Sequence, residues 1–465
     1  MADYDVIIIG DGIVGTAFGA ILASKNLKIL LNEKSKFLGG RCSTYEKDGF
    51  KIDFGIHLIG RPGRGPHGKV LEMIDMKDAI DWVSCRNPGP GPRWYYNNKF
   101  WSFPSELNEL IPNSDYSNLM KLFIDFMKIK DTKELETISV KDFLLNYTED
   151  SLVHTFINVI TALYFVIPYY EASADEFIKC LSSLSLDLSI GYPKGGCISM
   201  PQAYANGIEK YGGILKTKLS AKRIKVEDEK VQGVELGNNE LISSPIVISN
   251  TGIRETINNM IGKKYFDQNY LKEINKFKYS MSGMTLKIAL KRPITNYKLV
   301  NSFSLEYPEE LFNSILKGRV PDNPILFILI PSNFDPNLAP KGKQLIIAGT
   351  AVASENFEKN KEKWVINSMR SLENVFPELS DNFLWYEITN PKDIDTLGGK
   401  EASVIGLSQI IDQTGSNRSS QALPIEGLYL VGSDAGGWGI GTELAAKSAI
   451  ECSKMILEKQ NTILE

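Results

Sequence analysis

Histidine is scarce in this 465-residue chain: His57, His67 and His154 are the whole supply. None has a second histidine near it in sequence, so a histidine metal cluster is excluded as the basis of function. Cysteine is hardly more abundant. Cys42, Cys85, Cys180, Cys197 and Cys452 are odd in number, scattered, and free of any C-x-x-C pair. That argues against a disulfide framework and a zinc site, and fits a reducing cytoplasm. Positive charge is not in excess either. The net charge of −4 offers no basic face for nucleic acid. Repeats and low-complexity segments are lacking, and the chain opens directly on a core-like strand, so no secretory signal is expected. Long apolar runs are missing with one exception, Val153 to Tyr170. That run is about long enough to span a bilayer, but His154, Asn158 and Pro168 interrupt it and acidic residues flank it. A buried helix lining a core or an apolar pocket is the expected reading; a monotopic membrane-facing surface is the alternative.

What is present is a chain of ordinary globular composition, 43% hydrophobic and 23% charged, long enough for about two or three domains. It begins Asp5-Val-Ile-Ile-Ile-Gly10-Asp-Gly12-Ile-Val-Gly15, with Glu33 eighteen residues past Gly15. This order of strand, glycine turn, helix and acid marks a site for the ADP half of a dinucleotide. Val6 to Ile9 reads as a strand buried on both faces. Gly10 permits the tight turn, Gly12 lets backbone approach a pyrophosphate, and Gly15 lets the helix pack against the sheet. The helix, Thr16 to about Lys25, aims its positive N-terminus at the phosphates. A second strand, Leu27 to Leu31, delivers Glu33 to the position of a ribose hydroxyl.

Further along, Arg61 to Pro92 is rich in glycine and proline and reads as loop, with a short helix near Lys69 to Ile74. Its segment 61–68 is expected to be solvated or to gate a substrate. Trp94 to Trp101 alternates about Asn97-Asn98 as a hairpin does. Pro104 to about Leu186 has helical spacing. Strands are expected at 212–217, 221–227, 231–236, 245–250, 282–290, 325–331, 344–351 and 383–388, with one amphipathic helix over 355–376. This half looks like a separate sheet with covering helices. The end repeats the logic of the beginning: Gly427 to Asp434 is a strand entering a glycine-rich turn, followed by a helix from about Leu444 to Glu458. Two such units more than 400 residues apart suggest that both chain ends converge on one extended cofactor.

Together these pieces resemble the FAD-dependent amine oxidase and phytoene desaturase superfamily, and within it the carotenoid desaturase, carotenoid isomerase and retinol or prenyl saturase branch. Gly10, Gly12, Gly15 and Glu33 match the ADP site, and Gly39-Gly40-Arg41 the G-G-R that follows. Asp53-Phe-Gly55-Ile-His57 resembles D-x-G-x-H, Tyr192-Pro-Lys194-Gly195-Gly196 resembles Y-P-x-G-G, Ile246 to Asn250 the V-V-S-N strand, and Gly432 to Glu443 the C-terminal flavin motif. The resemblance implies an α/β fold: a Rossmann-like, glutathione-reductase-type FAD-binding domain (1–75, 190–280, 420–465) with a discontinuous α+β substrate domain (76–189, 281–419).

The implied cofactor is FAD, since a plain NAD-dependent dehydrogenase has no use for the second unit. Its implied contacts are Gly10, Gly12, Ile13, Val14, Gly15, Glu33, Lys34, Gly40, Arg41 and Cys42. They continue through Gly55, Ile56, His57, Ala221, Asn250 and Thr251 to Gly432, Asp434, Gly441, Thr442 and Glu443. Arg41 is expected on the pyrophosphate, Asp434 on a ribityl hydroxyl, and the helix near Gly441 on the flavin. No metal is implied. His57, Lys194 and Glu443 are the catalytic candidates, whereas His67 and His154 read as structural or surface residues, and nothing suggests covalent catalysis.

The implied activity is oxidoreduction at carbon–carbon bonds (saturation, desaturation or isomerisation) of an isoprenoid, polyprenyl or carotenoid-like substrate. The Phe156 to Tyr170 run and Trp94, Tyr96, Trp101 and Trp438 would line its tunnel. The competing readings are an amine oxidase or protoporphyrinogen-oxidase-like enzyme using oxygen, and a non-enzymatic flavoprotein or lipid-binding protein that keeps FAD as a structural element. A hydrophobic lipid substrate is the expected partner, with the electron donor or acceptor unidentified. The expected location is cytoplasmic, either free or peripheral to a membrane.

Overall fold

Val6–Ile9 lies at the centre of a five-stranded parallel sheet whose strands run in the order 214–216, 29–32, 6–9, 246–249, 428–430. A computed structural model describes residues 2–102, 105–110, 113–129, 132–185, 189–303 and 308–464. The strand is aliphatic throughout because both its faces are covered. Val6 and Ile8 enter one apolar cluster with the helices 13–23, 199–210 and 441–464. Ile7 and Ile9 enter another, beneath the small 221–227/230–236 sheet and the helical segment 253–261. This is the two-residue period of a strand read out as two cores. Each such side chain, taken wholly out of water, contributes about 1.5–3 kcal/mol.

The first helix spans Ile13–Ala23, three residues ahead of the expected start. Thr16 does not cap it; its hydroxyl donates back to the Gly12 carbonyl at 3.2 Å, so the helix begins on the glycine turn itself. The last helix likewise starts early, at Gly441.

The second large sheet is mixed and seven-stranded, ordered 383–389, 282–290, 344–352, 326–329, 299–302, 93–96, 99–102. Only its 299–302/93–96 pair is parallel. The hairpin 93–102 turns on Asn97 and Asn98 at φ 52° and 57°, the left-handed pair a tight turn demands. Helix Ser354–Val375 covers this sheet through Phe357, Trp364 and Leu372.

The helical part holds Asn113–Lys128, Ser151–Phe165 and Ala174–Ser185; residues 104 and 186, the ends of the expected helical stretch, lie outside the described residues. Asp150 caps Ser151–Phe165 by accepting from Leu152 and Val153 N–H at 2.9 Å. The helix is buried in an aromatic core with Phe126 and Phe177, and among the described residues no helix is long and apolar enough to cross a membrane. A three-stranded sheet runs in the order 59–60, 190–193, 82–84.

Candidate functional site: a dinucleotide cradle opening on an apolar chamber

The glycine turn is held open by backbone. Gly10 sits at φ 97° and its N–H donates to Asn32 O at 2.9 Å. A Cβ on Gly15 would lie 2.0 Å from the Gly10 carbonyl oxygen, so any side chain there forces helix and strand apart. Glu33 is pinned at the end of its strand. One oxygen accepts from the Asp11 N–H at 3.1 Å and the other from Ser35 N–H at 2.6 Å, leaving lone pairs free to take further hydrogen bonds. Asp11 faces it from inside the turn, and burial together with the Glu33 charge pushes its carboxyl up to about 8. Asn250 braces the far side, its amide 3.4 Å from Gly10 O.

Over this turn passes the strap Gly39-Gly40-Arg41, bridged to Gly12. Arg41 anchors through Nη1 on the carbonyls of Ser403 and Val404 at 3.0 and 2.8 Å, which leaves the other edge of its fork for an anion. Asp53 ties the next segments together: it accepts from Thr44 Oγ1 at 2.6 Å, from Cys197 N–H at 2.9 Å and from the Tyr192 hydroxyl. The two segments 53–57 and 192–197 thus share one carboxylate.

From the C-terminal side, Gly432 turns at φ 119° and Gly441 at φ 48°, and a Cβ on Gly441 would meet no atom within 4 Å. The helix N-terminus opens there. Glu443 in its first turn accepts from Gly60 N–H at 2.6 Å, and burial raises its carboxyl above the ordinary range. His57 stands opposite, 3.7 Å from the Cys42 sulfur. Burial lowers it to about 4, so its imidazole is neutral at physiological pH.

These parts line one cavity of about 1800 Å³. Of the expected contacts, the glycine turn, Ile13, Val14, Glu33, Lys34, Gly40, Arg41, Cys42 and the segment 55–57 lie on its wall. So do Ala221, Asn250, Thr251, Gly432, Gly441, Thr442 and Glu443. Beyond His57 and Thr442 the wall turns apolar, with Trp94, Met120, Phe123, Ile160, Leu163, Tyr164, Phe327 and Trp438.

Four expectations need correction. Gly15 packs behind the turn and does not face the cavity. Asp434 is also behind the wall, its carboxylate filled by Lys400 Nζ, the N–H groups of Leu407 and Ile253, and the Tyr279 hydroxyl. Lys194 is far off, on the surface 3.4 Å from Asp81, because Gly195 and Gly196 turn the chain at φ 85° and 94°. Tyr96 and Trp101 stay within the hairpin, where Tyr96 stacks on Phe303 at 4.8 Å and Trp101 donates to Tyr96 O. His67 and His154 are buried structural residues, paired with Tyr204 and Tyr169 hydroxyls at 3.0 and 2.9 Å.

Sequence reading missed Asp11, Asn32 and Lys400. Asp11 sits between two motif glycines and Asn32 directly precedes Glu33, so proximity to the motif was their signal; Lys400 gave none.

The profile of the NAD(P)-binding Rossmann-like domain matches residues 8–75, which supports a dinucleotide cofactor. Among curated proteins, prolycopene isomerase 1 of an Oncidium hybrid cultivar is 25% identical, covering 100% of this chain and 86% of that protein. All-trans-retinol 13,14-reductase of Danio rerio is 24% identical over 98% of this chain and 86% of its own. Among solved structures, putrescine oxidase with bound putrescine shares the fold at a TM-score of 0.74, 13% identity and coverage of 98% and 99% of the two chains. Motifs and relatives liken this chain to the superfamily of FAD-dependent amine oxidases and carotenoid desaturases and support an oxidoreductase, and its fold is the one putrescine oxidase has.

Proposed function

We propose that this chain is an FAD-dependent oxidoreductase acting on carbon–carbon bonds of an isoprenoid or carotenoid-like substrate, by saturation, desaturation or isomerisation. The observation that carries the reading is one continuous cavity, in which the Gly10–Glu33 cradle and the apolar chamber meet beside His57, Gly441 and Thr442. At about 1800 Å³ it exceeds the roughly 300–1,000 Å³ of a single small-ligand site, so it has room for a cofactor and a second molecule.

The residues present fit the extended dinucleotide. The buried Asn32 amide and Asp11 Oδ2 on the cavity wall have no hydrogen-bond partner, which is costly unless a ligand supplies one. Open space stands where Gly441 would carry a side chain. Glu33 would hold the ribose, Arg41 and the glycine turn the pyrophosphate, and the segments 55–57 and 441–443 the flavin. The same reading makes 1–75, 190–280 and 420–465 the cofactor domain, and 76–189 with 281–419 the substrate domain.

When bound, FAD supplies two-electron transfer at the flavin N5. The chain's residues set its conditions. The chamber walls exclude water and align a hydrocarbon chain. The helix N-terminus at Gly441 favours negative charge beside it, by about 0.3–1 kcal/mol per contact. Neutral His57 offers a hydrogen bond without a charge. Glu443, its carboxyl raised above the ordinary range by burial, stands where a group would be needed to deliver the proton that saturation consumes.

The test is anaerobic mixing of photoreduced holoprotein with polyprenyl and carotenoid substrates, followed by flavin absorbance and product chromatography. Reoxidation of the flavin or a shifted product distribution is expected, with no peroxide formed from amines. Peroxide from amines would favour the amine oxidase reading, for which the putrescine oxidase fold speaks. An unchanged spectrum and unchanged products with every isoprenoid would overturn the proposal.

A further inference from the structure

Six cations ring the cavity at one end, and the function proposed above gives them no task. The strands 59–60, 190–193 and 82–84 lie side by side, with Arg61 N–H donating to Ser189 O at 2.7 Å and Cys85 N–H to Ile190 O at 2.8 Å. Arg61 and Arg86 therefore emerge at the same end of this small sheet. Arg64 follows in a turn closed on Arg61 O, and Lys69 lies in the first turn of helix Pro66–Met73. Facing them, the C-terminal helix presents Lys447, Ile450, Glu451 and Lys454, spaced as one helical stripe. All of these residues line the cavity.

Of the acids at this end, Glu443 is a buried carboxyl engaged by Gly60 N–H, Glu451 lines the wall, and Glu72 and Glu176 lie near enough to act on Lys69 and Lys447. Arg61 and Arg64 have contacts of their own. The charge left to act therefore rests on Lys69, Arg86, Lys447 and Lys454, for which the described residues supply no ion pair. Lys447 lies over the Trp438 ring and donates to Trp438 O at 3.3 Å. Burial draws its ammonium down to about 8, and an anion seated against it would relieve that penalty.

Collar and chamber line the same cavity, and the collar runs outward along the C-terminal helix from the turn that meets Gly60 at Glu443. Glu443 to Lys454 spans about 16 Å of helix. Lys69, Arg86 and Lys454 are exposed and Lys447 half-buried, so a hydrocarbon or an alcohol would leave these four to solvent alone, and a carboxylate is satisfied by a single forked arginine. Converging lysines and arginines match a denser, multiply charged anion. Because the helix stripe faces into the cavity, it suits one head group more than a flat lipid surface.

We propose that the substrate is an isoprenoid bearing a phosphate or diphosphate head, its chain in the apolar chamber and its head in this collar. The inference rests on the isoprenoid reading above and narrows it. Holoprotein is titrated with geranylgeranyl diphosphate, geranylgeraniol and inorganic pyrophosphate, and with phosphatidylcholine vesicles with and without phosphatidylglycerol. The readout is fluorescence of Trp94 and Trp438, which line the cavity. The diphosphate should bind at least about tenfold more tightly than the alcohol, a difference of 1.4 kcal/mol. In Arg86→Gln combined with Lys454→Gln that preference should fall below about threefold, with the alcohol's affinity moved less than about twofold.

Equal binding of alcohol and diphosphate would overturn the proposal, as would an equal loss of both in the double variant. Pyrophosphate binding as tightly as the full diphosphate would mean an anion site unconnected with the chamber, and also overturns it. Binding to anionic vesicles with no preference among the soluble ligands would make the collar a membrane contact instead. Fluorescence reads binding without turnover. A failure of every isoprenoid to reoxidise the flavin would sink the function proposed above while leaving this preference measurable.

Discussion

Replacing Asp434 with asparagine removes the anion from a junction of four distant segments. Its Oδ1 lies 3.1 Å from Lys400 Nζ and accepts from Leu407 N–H at 3.3 Å. Its Oδ2 accepts from Ile253 N–H and the Tyr279 hydroxyl, both at 3.1 Å. The two charged side chains are 0% and 5% exposed, so solvent cannot stand in for a lost partner. Burial alone would raise the Asp434 carboxyl, but the Lys400 charge and the Ile253 N–H outweigh it and hold the group below its usual range. Burial also lowers Lys400, as expected for a cation that depends on a single carboxylate. Breaking one side of such a pair costs about 3–5 kcal/mol, against total stabilities of about 5–15 kcal/mol. Asp434→Asn and Lys400→Met should therefore each lower the urea midpoint of the apoprotein markedly. The double variant should cost less than the sum of the two, because neither charge is then left alone. Far-UV circular dichroism on apoprotein and holoprotein reads this directly. If Asp434→Asn apoprotein unfolds within about 0.5 kcal/mol of the parent and only flavin retention suffers, the structural account is wrong and Asp434 is simply a cofactor ligand.

Gly15→Ala should lose both cofactor and stability, by about 1–3 kcal/mol or more, because its Cβ would lie 2.0 Å from the Gly10 carbonyl oxygen; flavin absorbance after gel filtration checks it. Glu33→Ala with Arg41→Ala should weaken FAD binding on the order of a hundredfold or more, from the loss of charge-assisted hydrogen bonds, and unchanged retention would remove the anchor assignment. Burial lowers His67 to about 4, whereas an unfolded histidine titrates near 6.5. The unfolded chain therefore takes up the proton first, and stability is lost as pH falls from about 6.5 to about 4. The full contribution is about 3 kcal/mol. His67→Gln should flatten the pH dependence of the urea midpoint by about that amount between pH 7 and pH 4, and an unchanged slope would count against it.

The repeating elements were legible because their signals are local. The stretch 282–290 reads as a strand from its pattern and is one from Ser282 to Leu290. Asn97-Asn98 reads as a turn because asparagine tolerates the left-handed backbone it adopts there. The cradle was legible for the same reason: Gly10, Gly12, Gly15 and Glu33 encode a turn, a close approach and a strand end within one βαβ unit. Lys194 misled, since a motif specifies where the backbone turns and leaves the direction of a side chain at the turn to its neighbours.

Sequence alone determined that this chain builds a dinucleotide cradle at its start and a second glycine turn at its end. Those features depend on backbone freedom and two- or four-residue periods, which neighbouring residues settle among themselves. Only the tertiary structure decided that Lys400 would occupy Asp434 and that Asn32 would face the cavity unpartnered. It also decided that Arg61, Arg86 and Lys447 would share one rim. Each of these joins residues far apart in the chain, and such meetings are set by how the sheets and helices pack.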